Sequence, residues 1–392
     1  MALENFEYSA PTKVFFGKDE HLRVGEIIKD YGFNNILLHY GSGSIKKSGL
    51  YDVICKSLRD SNVKFTELGG VEPNPKLSLV RKGAAICKEN CIDLILAVGG
   101  GSVIDSAKAI AIAAKVDFDF WEFYENPQIK PSASIPVATV LTISAAGSET
   151  STNCVITNDE TGFKRGFRYI PPLFSILNPE LTYSVSKYQT ACGVVDIMMH
   201  TLERYLTMPG TASPTDEICE SIVRTAIKYG PLAVNNPTNY EARASLMWTG
   251  SLSHVGLTGV GRKFYMISHQ IEHEISGMYD SVAHGAGLAV VFPAWLKFAY
   301  RFNPDRFYRY AVKIWDCEPC DNDKESVIKK GIECTENFFK SIGMPIRLSE
   351  LSIDESVFDA MASKCTNYGK RRLPGYIDYK EEDIKEILML AK

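Results

Sequence analysis

An N-terminal α/β domain with a mostly parallel sheet, followed by an all-helical domain, is the fold class this sequence predicts. Three observations carry it. Short apolar runs alternate with helix-like segments through the first half. Past about Leu181 long helical patterns take over. The chain, at 392 residues, is also longer than one typical domain.

The expected strands are residues 13–16, 36–40, 64–68, 93–98 and 135–139, with helix-like segments such as 50–61 and 77–90 between them. Strand, helix, strand in this rhythm implies βαβ units. Residues 153–157 and 173–177 read as extra strands, and Asn158-Asp159 with Thr161-Gly162 marks a turn. The expected helices of the second half are 187–207, 215–235, 239–255, 266–278, 285–301, 324–342 and 381–391. Pro209-Gly210 and Asn235-Asn236-Pro237 break the pattern. The division is therefore expected near residue 185, giving domains 1–185 and 186–392.

Hydrophobic residues make up 45% and charged residues 23% of the chain, a composition able to bury a large core. A net charge of −4 gives no nucleic-acid signature. Residues 1–8 hold two glutamates and no apolar run, so no secretory signal is expected. The absence of an 18-residue apolar stretch argues against a membrane span. Ten cysteines then read as reduced thiols in a cytoplasmic protein. Cys317-Glu318-Pro319-Cys320 has zinc-knuckle spacing but no second close pair, which favours a surface turn.

Two glycine-rich turns follow strands. Asp93-Leu94-Ile95-Leu96-Ala97-Val98 runs into Gly99-Gly100-Gly101-Ser102 and then a helical segment. Glycines there admit a phosphate to the backbone, and a helix N-terminus favours an anion; a plain tight turn is the alternative. Asp105 falls in the first turn of that helix. After Tyr40 comes Gly41-Ser42-Gly43-Ser44, with Lys46 and Lys47 close behind. No acid stands there to bind ribose hydroxyls, and hydroxyls with nearby lysines suit a 2′-phosphate better. A solvated loop explains the same residues.

Three of seven histidines lie in His269-Gln270-Ile271-Glu272-His273 and Asp280-Ser281-Val282-Ala283-His284. Asp196 and His200 are spaced i, i+4, as are His269 and His273, so each pair shares a helix face. A carboxylate with several imidazoles suits a divalent metal. His269 to His273 also spells H-x-x-E-H, a metalloprotease motif in which Glu272 would activate water. That reading leaves Asp196, His200 and the nucleotide-like half unexplained.

These segments, with Gly147-Ser148-Glu149 and Gly193-Val194-Val195-Asp196, resemble the iron-containing (group III) alcohol dehydrogenases over nearly the whole chain, and most of all their butanol dehydrogenase-like branch. The resemblance implies a nucleotide-binding α/β domain followed by a helical metal domain. It also implies reversible hydride transfer between NADP, or NAD, and a small alcohol or aldehyde, in a homodimer. It places metal ligands at Asp196, His200, His269 and His284, with Fe²⁺ as the metal and Zn²⁺ or another divalent ion as alternatives. His273 matches a residue treated as catalytic. Cofactor contacts fall on Gly41, Ser42, Gly43, Ser44, Asn74, Gly100, Gly101, Ser102, Asp105, Thr142, Lys164 and Tyr183. A zinc-dependent polyol dehydrogenase or sugar-acid cyclase of the same superfamily is the alternative within the class. Two departures stand out: Ala146 where relatives carry threonine, and Tyr265-Met266-Ile267-Ser268 where they carry Asp-Trp-Ala-Thr. Both caution against transferring the family's substrate preferences.

Overall fold

The structure is a computed structural model that describes residues 3–126, 128–207 and 213–392. Two compact units emerge, Ser9–Val185 and Ser186–Lys392, and the segment ahead of Ser9 belongs with the second. The sequence reading had placed that segment in the α/β domain. Its allegiance comes from contacts: Glu4 N–H donates to the Gly261 carbonyl at 3.0 Å. A Cβ on Gly261 would stand 2.4 Å from Cδ2 of Leu3. The Pro209-Gly210 break lies outside the described residues.

The first unit carries strands β1 (Lys13–Phe16), β2 (Asn35–Gly41), β3 (Lys64–Val71), β4 (Leu94–Gly99), β5 (Val137–Leu141), β6 (Asn153–Thr157), β7 (Lys164–Arg168) and β8 (Phe174–Leu177). Six of them form one sheet in the order β1-β8-β5-β4-β2-β3, with all neighbours parallel. β6 and β7 make a separate antiparallel ribbon. β7 was not anticipated: Lys-Arg-Gly-Phe-Arg has no β-branched residue, and its pairing with β6 makes it a strand.

Helices α1 (Val24–Asp30), α2 (Leu50–Asp60), α3 (Leu77–Glu89) and α4 (Gly101–Ala113) accompany this sheet. Ile27, Ile28, Ile54 and Leu58 pack with Ile36, Leu38, Leu94, Leu96 and Val140 in one core. The alternate strand residues Leu37, Ile95, Ala97 and Val137 are just as buried, so the sheet is covered on both faces. That explains why β4 reads as an unbroken apolar run. The chain steps from β2 outward to β3, then returns to β4 and proceeds through β5 to β8 in the opposite direction. The order thus reverses between β2 and β4. In open α/β sheets ligands settle at the carboxyl ends of the strands flanking such a reversal.

The second unit is built from α5 (Lys187–Leu206), α6 (Ser213–Asn235), α7 (Tyr240–His254), α8 (Ile267–Met278), α9 (His284–Ala299), α10 (Pro304–Trp315), α11 (Lys324–Ser341), α12 (Phe358–Cys365) and α13 (Glu381–Leu390). α10 and α12 add to those expected. α5 starts where Ser186 accepts from Gln189 N–H, a cap that satisfies one orphan donor. It is buried continuously from Thr190 to Leu206, as befits a helix at the centre of a bundle. α9 approaches it closely: a Cβ on Gly285 would lie 2.2 Å from the Cys192 carbonyl oxygen. Only glycine allows this, and it brings His284, one residue earlier, beside Asp196, one turn later on α5.

Candidate active site

Asp196 and His200 project from one face of α5, as their spacing predicted. Oδ1 of Asp196 lies 3.6 Å from Nε2 of His200, 3.8 Å from Nε2 of His269 and 3.8 Å from Nε2 of His284. Four donor atoms from three helices therefore converge. Metal bonds of about 2.1 Å in a tetrahedral arrangement would separate donors by roughly 3.4 Å, so Asp196, His200 and His269, whose ligand atoms lie within 4.8 Å of one another, fit one small divalent ion, and His284 reaches the same Asp196 oxygen from the side. Asp196 Oδ1 and His269 Nε2 are moreover buried without a hydrogen-bond partner. Buried polar atoms are rarely left so, and a cation satisfies both. The residues fit a metal.

Two glutamates stand behind two of these imidazoles. Glu203, one turn beyond His200 on α5, takes the Nδ1 proton of His269. It also accepts the backbone N–H groups of Ser268 and His269 at the start of α8, at 2.5 and 3.3 Å. Glu272, fully buried, does the same for Nδ1 of His284. Carboxylates placed so set the tautomer and turn Nε2 towards Asp196. The sequence reading missed Glu203, although the i, i+4, i+7 spacing of Asp196, His200 and Glu203 was there to find. It had weighed Glu272 only as the water-activating residue of a protease. In the structure its Oε2 is instead engaged with Nδ1 of His284.

Burial first, then the neighbouring His254 and His269 rings and the Arg204 cation, hold His200 well below the ordinary histidine range. It is a neutral donor with a lone pair to offer. His269 goes the other way. Burial would depress it, but Glu203 and Asp196 outweigh burial and raise it to about 9. A metal binding there displaces a proton. Asp196, His200 and His269 make one close group, while His273 makes a second with Glu272 and His284, its ring 5.7 Å from that of His284. Cys317 and Cys320 are not among the metal-holding groups found in the described residues.

The expected nucleotide contacts gather on one edge of the sheet. Gly41 ends β2 and Ser42, Gly43 and Ser44 follow it, Asn74 follows β3, and Gly100, Gly101 and Ser102 follow β4. Thr142 comes directly after β5, and Tyr183 after the short turn Pro179–Thr182 that continues β8. These five strands are consecutive in the sheet, and the two glycine turns flank the reversal point. Asn74 is left-handed, with φ of 56°. A Cβ on Gly100 would meet Cγ2 of Ile143 at 2.3 Å, so the β4–α4 turn has its tight path only with glycine. Nothing stands within 4 Å of the Cβ position of Gly43. Open turns and a half-buried helix N-terminus fit a dinucleotide.

Asp105 and Lys164, the other two expected contacts, are charge neighbours. The Asp105 carboxylate accepts from Ser148 Oγ and from Val155 N–H, and Lys164 is buried at the start of β7. Lys108, one turn along α4 and also buried, donates to Ser148 O, Ser148 Oγ, Ser151 O and Asn153 O at 2.6–2.9 Å. Together Asp105 and Lys108 fasten residues 148–155, the loop into β6 and its first residues, onto α4. Lys108 gave no signal in the sequence, because a lysine in a helix usually faces water.

The comparisons with known proteins follow the same division. Residues 11–179 match the iron-containing alcohol dehydrogenase domain, and residues 190–391 match the C-terminal domain of the Fe-containing alcohol dehydrogenase family. The chain belongs to the iron-containing alcohol dehydrogenases. It is an oxidoreductase linked to NAD(P), acting on alcohols and aldehydes, as the resemblance implied. An NADH-dependent butanol dehydrogenase A of Clostridium acetobutylicum is 41% identical over 388 residues, 98% of each chain. The NADPH-dependent aldehyde reductase of Escherichia coli is 34% identical over 95% of each. The crystal structure of NADH-dependent butanol dehydrogenase A from Thermotoga maritima superposes with a TM-score of 0.95 at 38% identity, covering 99% of both chains. Among the described residues of this alcohol dehydrogenase, no helix is long and apolar enough to cross a membrane.

Proposed function

We propose that this enzyme interconverts a short primary alcohol, of the size of butanol, and its aldehyde at a site where Asp196, His200, His269 and His284 hold Fe²⁺. The observation that carries the ligand set is the convergence of three Nε2 atoms on a buried, unpartnered Asp196 oxygen. When bound, the metal supplies Lewis acidity at the substrate oxygen and the nicotinamide supplies or accepts the hydride. Asp196 brings the single negative charge of the set. Glu203 and Glu272 hold two imidazoles in register. His273, half-buried beside His284, passes the substrate proton to and from solvent, a task suited to imidazole near neutral pH. Gly41, Ser42, Gly43, Ser44, Asn74, Gly100, Gly101, Ser102, Thr142, Lys164 and Tyr183 form the nucleotide edge, and Asp105 keeps its covering loop in place.

NADP(H) is the preferred cofactor in this reading. Exposed Ser42, Ser44 and Lys47 support it. Lys46 contributes less than its position suggested, because its ammonium lies over the rings of Tyr40 and Tyr51, at 5.1 and 4.7 Å. We also infer a cytoplasmic homodimer. Ten free cysteines accord with a reducing compartment, and the dimer rests on the family resemblance, to be checked by light scattering.

Metal analysis with aldehyde-dependent oxidation of NAD(P)H tests the site. Asp196→Ala and His200→Ala lose metal and activity together. His273→Ala keeps its metal and loses about 10²-fold in kcat. Full metal occupancy in both Asp196→Ala and His200→Ala would remove the proposed ligand set. Metal loss in His273→Ala equal to that in His269→Ala would put His273 among the ligands.

A further inference from the structure

Two of the three imidazoles facing Asp196 have a carboxylate behind them, Glu203 for His269 and Glu272 for His284. The third has none. Nδ1 of His200 is buried and without a hydrogen-bond partner. Its ring is instead stacked on that of His254, with centroids 4.0 Å apart and planes inclined by 26°, closer than its other stacked neighbour, the His269 ring at 4.6 Å and 16°. His254 is buried at the last residue of α7, an element that supplies no proposed ligand. Arg204 secures it: Nη2 lies 2.9 Å from Nδ1 of His254, and Nη1 donates to the carbonyls of Ser253, at 3.1 Å, and His200. A guanidinium can only donate, so Nδ1 of His254 accepts and the proton of the neutral ring sits on Nε2. One arginine thus ties together the backbone of the ligand helix, the end of α7 and the stacked ring.

We propose that His254, held by Arg204, is a positioning residue that sets the ring plane of His200, in the place that carboxylates take behind the other two imidazoles. The physical need is specific. The torsion that turns an imidazole about its bond to Cβ is broad and roughly two-fold, so a ring with nothing on its far nitrogen swings unless a surface limits it. A stacked neutral ring limits the swing without adding negative charge. A third carboxylate would raise the basicity of His200 and place another anion in a dry site that already holds Asp196, Glu203 and Glu272. The assignment rests on the ligand set proposed above.

The test uses the full-length protein, freed of metal and loaded with Co²⁺, whose visible spectrum reports ligand geometry. His254→Asn keeps an acceptor for Arg204 but removes the ring. His254→Phe keeps a ring face but removes the acceptor. His254→Asn is expected to release Co²⁺ to a chelator about 10-fold faster with a shifted spectrum, and His254→Phe to regain most of the wild-type retention. The melting temperature of the metal-free protein should hardly move in either. Wild-type release and spectrum in His254→Asn would overturn the proposal. So would release in His254→Phe as fast as in His254→Asn, or faster release that merely tracks a lower metal-free melting temperature. Should His254→Asn fail to fold, His254→Leu takes its place with the same expectations. Asp196→Ala separates the two levels: Co²⁺ held there as tightly as in the wild type would sink the ligand set itself, whatever His254 does.

Discussion

Glu203 and His269 are joined across two helices, the carboxylate of α5 taking both the Nδ1 proton of the ring and the backbone N–H of the same residue. One buried glutamate therefore caps α8 and aims the proposed metal ligand. A negative group at a helix N-terminus is favoured by the unpaired amides there. Glu203→Gln keeps the shape and weakens the hold on the ring. Metal affinity should fall by about 10- to 100-fold, measured by competition with a chelator. An affinity within twofold of the wild type would show that the ring is aimed by packing alone.

The β4–α4 turn offers a paired test of steric need. A Cβ at Gly100 collides with the branched Ile143 side chain at 2.3 Å, whereas one at Gly101 meets only the Ala146 methyl, at 3.4 Å. Gly100→Ala should cost about 1–3 kcal/mol of stability, as overpacking does, and raise KM for the nicotinamide cofactor. Gly101→Ala should be much milder in stability. Thermal melts and cofactor titrations of the two variants decide it; equal stabilities would contradict the geometry.

Cofactor choice is read at the end of β2. The Cβ position of Gly41 meets Val71 O at 3.5 Å and Cγ2 of Val103 at 3.9 Å, ordinary contacts that admit a side chain. Gly41→Asp should move the preference from NADP(H) towards NAD(H) by roughly 10- to 100-fold, a like-charge penalty of a few kcal/mol at about 1.4 kcal/mol per decade. The readout is kcat/KM with both cofactors. A wild-type enzyme that favours NADH tenfold, or an unchanged ratio in the variant, would show that this turn does not read the phosphate.

Acid sensitivity should centre on Asp216. It is buried, with Arg306 gripping both carboxylate oxygens at 2.6–2.7 Å and Arg262 donating at 2.7 Å. Burial opposes ionisation, but the two arginines win and hold its pKa below the usual carboxylate range. A folded pKa depressed in this way gives stability that is present above the unfolded value, about 3.9, and lost as pH falls through the lower folded one. Asp216→Asn should therefore cost about 3–5 kcal/mol at pH 7, the cost of leaving buried charges uncompensated. The gap to wild type should narrow below about pH 4. Chemical denaturation at pH 7 and pH 3 measures both; a gap that stays constant would remove Asp216 as its source.

Much of the site was legible because local spacing carried it. Asp196 with His200 forms an i, i+4 pair that any helix turns to one side. A strand running into Gly99-Gly100-Gly101-Ser102 and a helix announces a tight turn before any fold is known. The alternation of β and α segments likewise determined a parallel sheet, since parallel strands need crossovers. Tertiary structure decided the rest. Which histidines meet Asp196 depends on α9 touching α5 at Gly285, a contact between residues nearly a hundred positions apart. His269 and His273 share one helix face, yet His269 approaches Asp196 while His273 groups with Glu272 and His284. The roles of Glu203, Glu272 and His254 exist only across helix pairs, and the gathering of five turns at one sheet edge depends on strand order, which periodicity does not encode. The β7 strand and the burial of Lys108 have the same origin. Pairing with β6 and four carbonyl or hydroxyl acceptors override what their sequences prefer, because long-range partners outweigh weak local propensities.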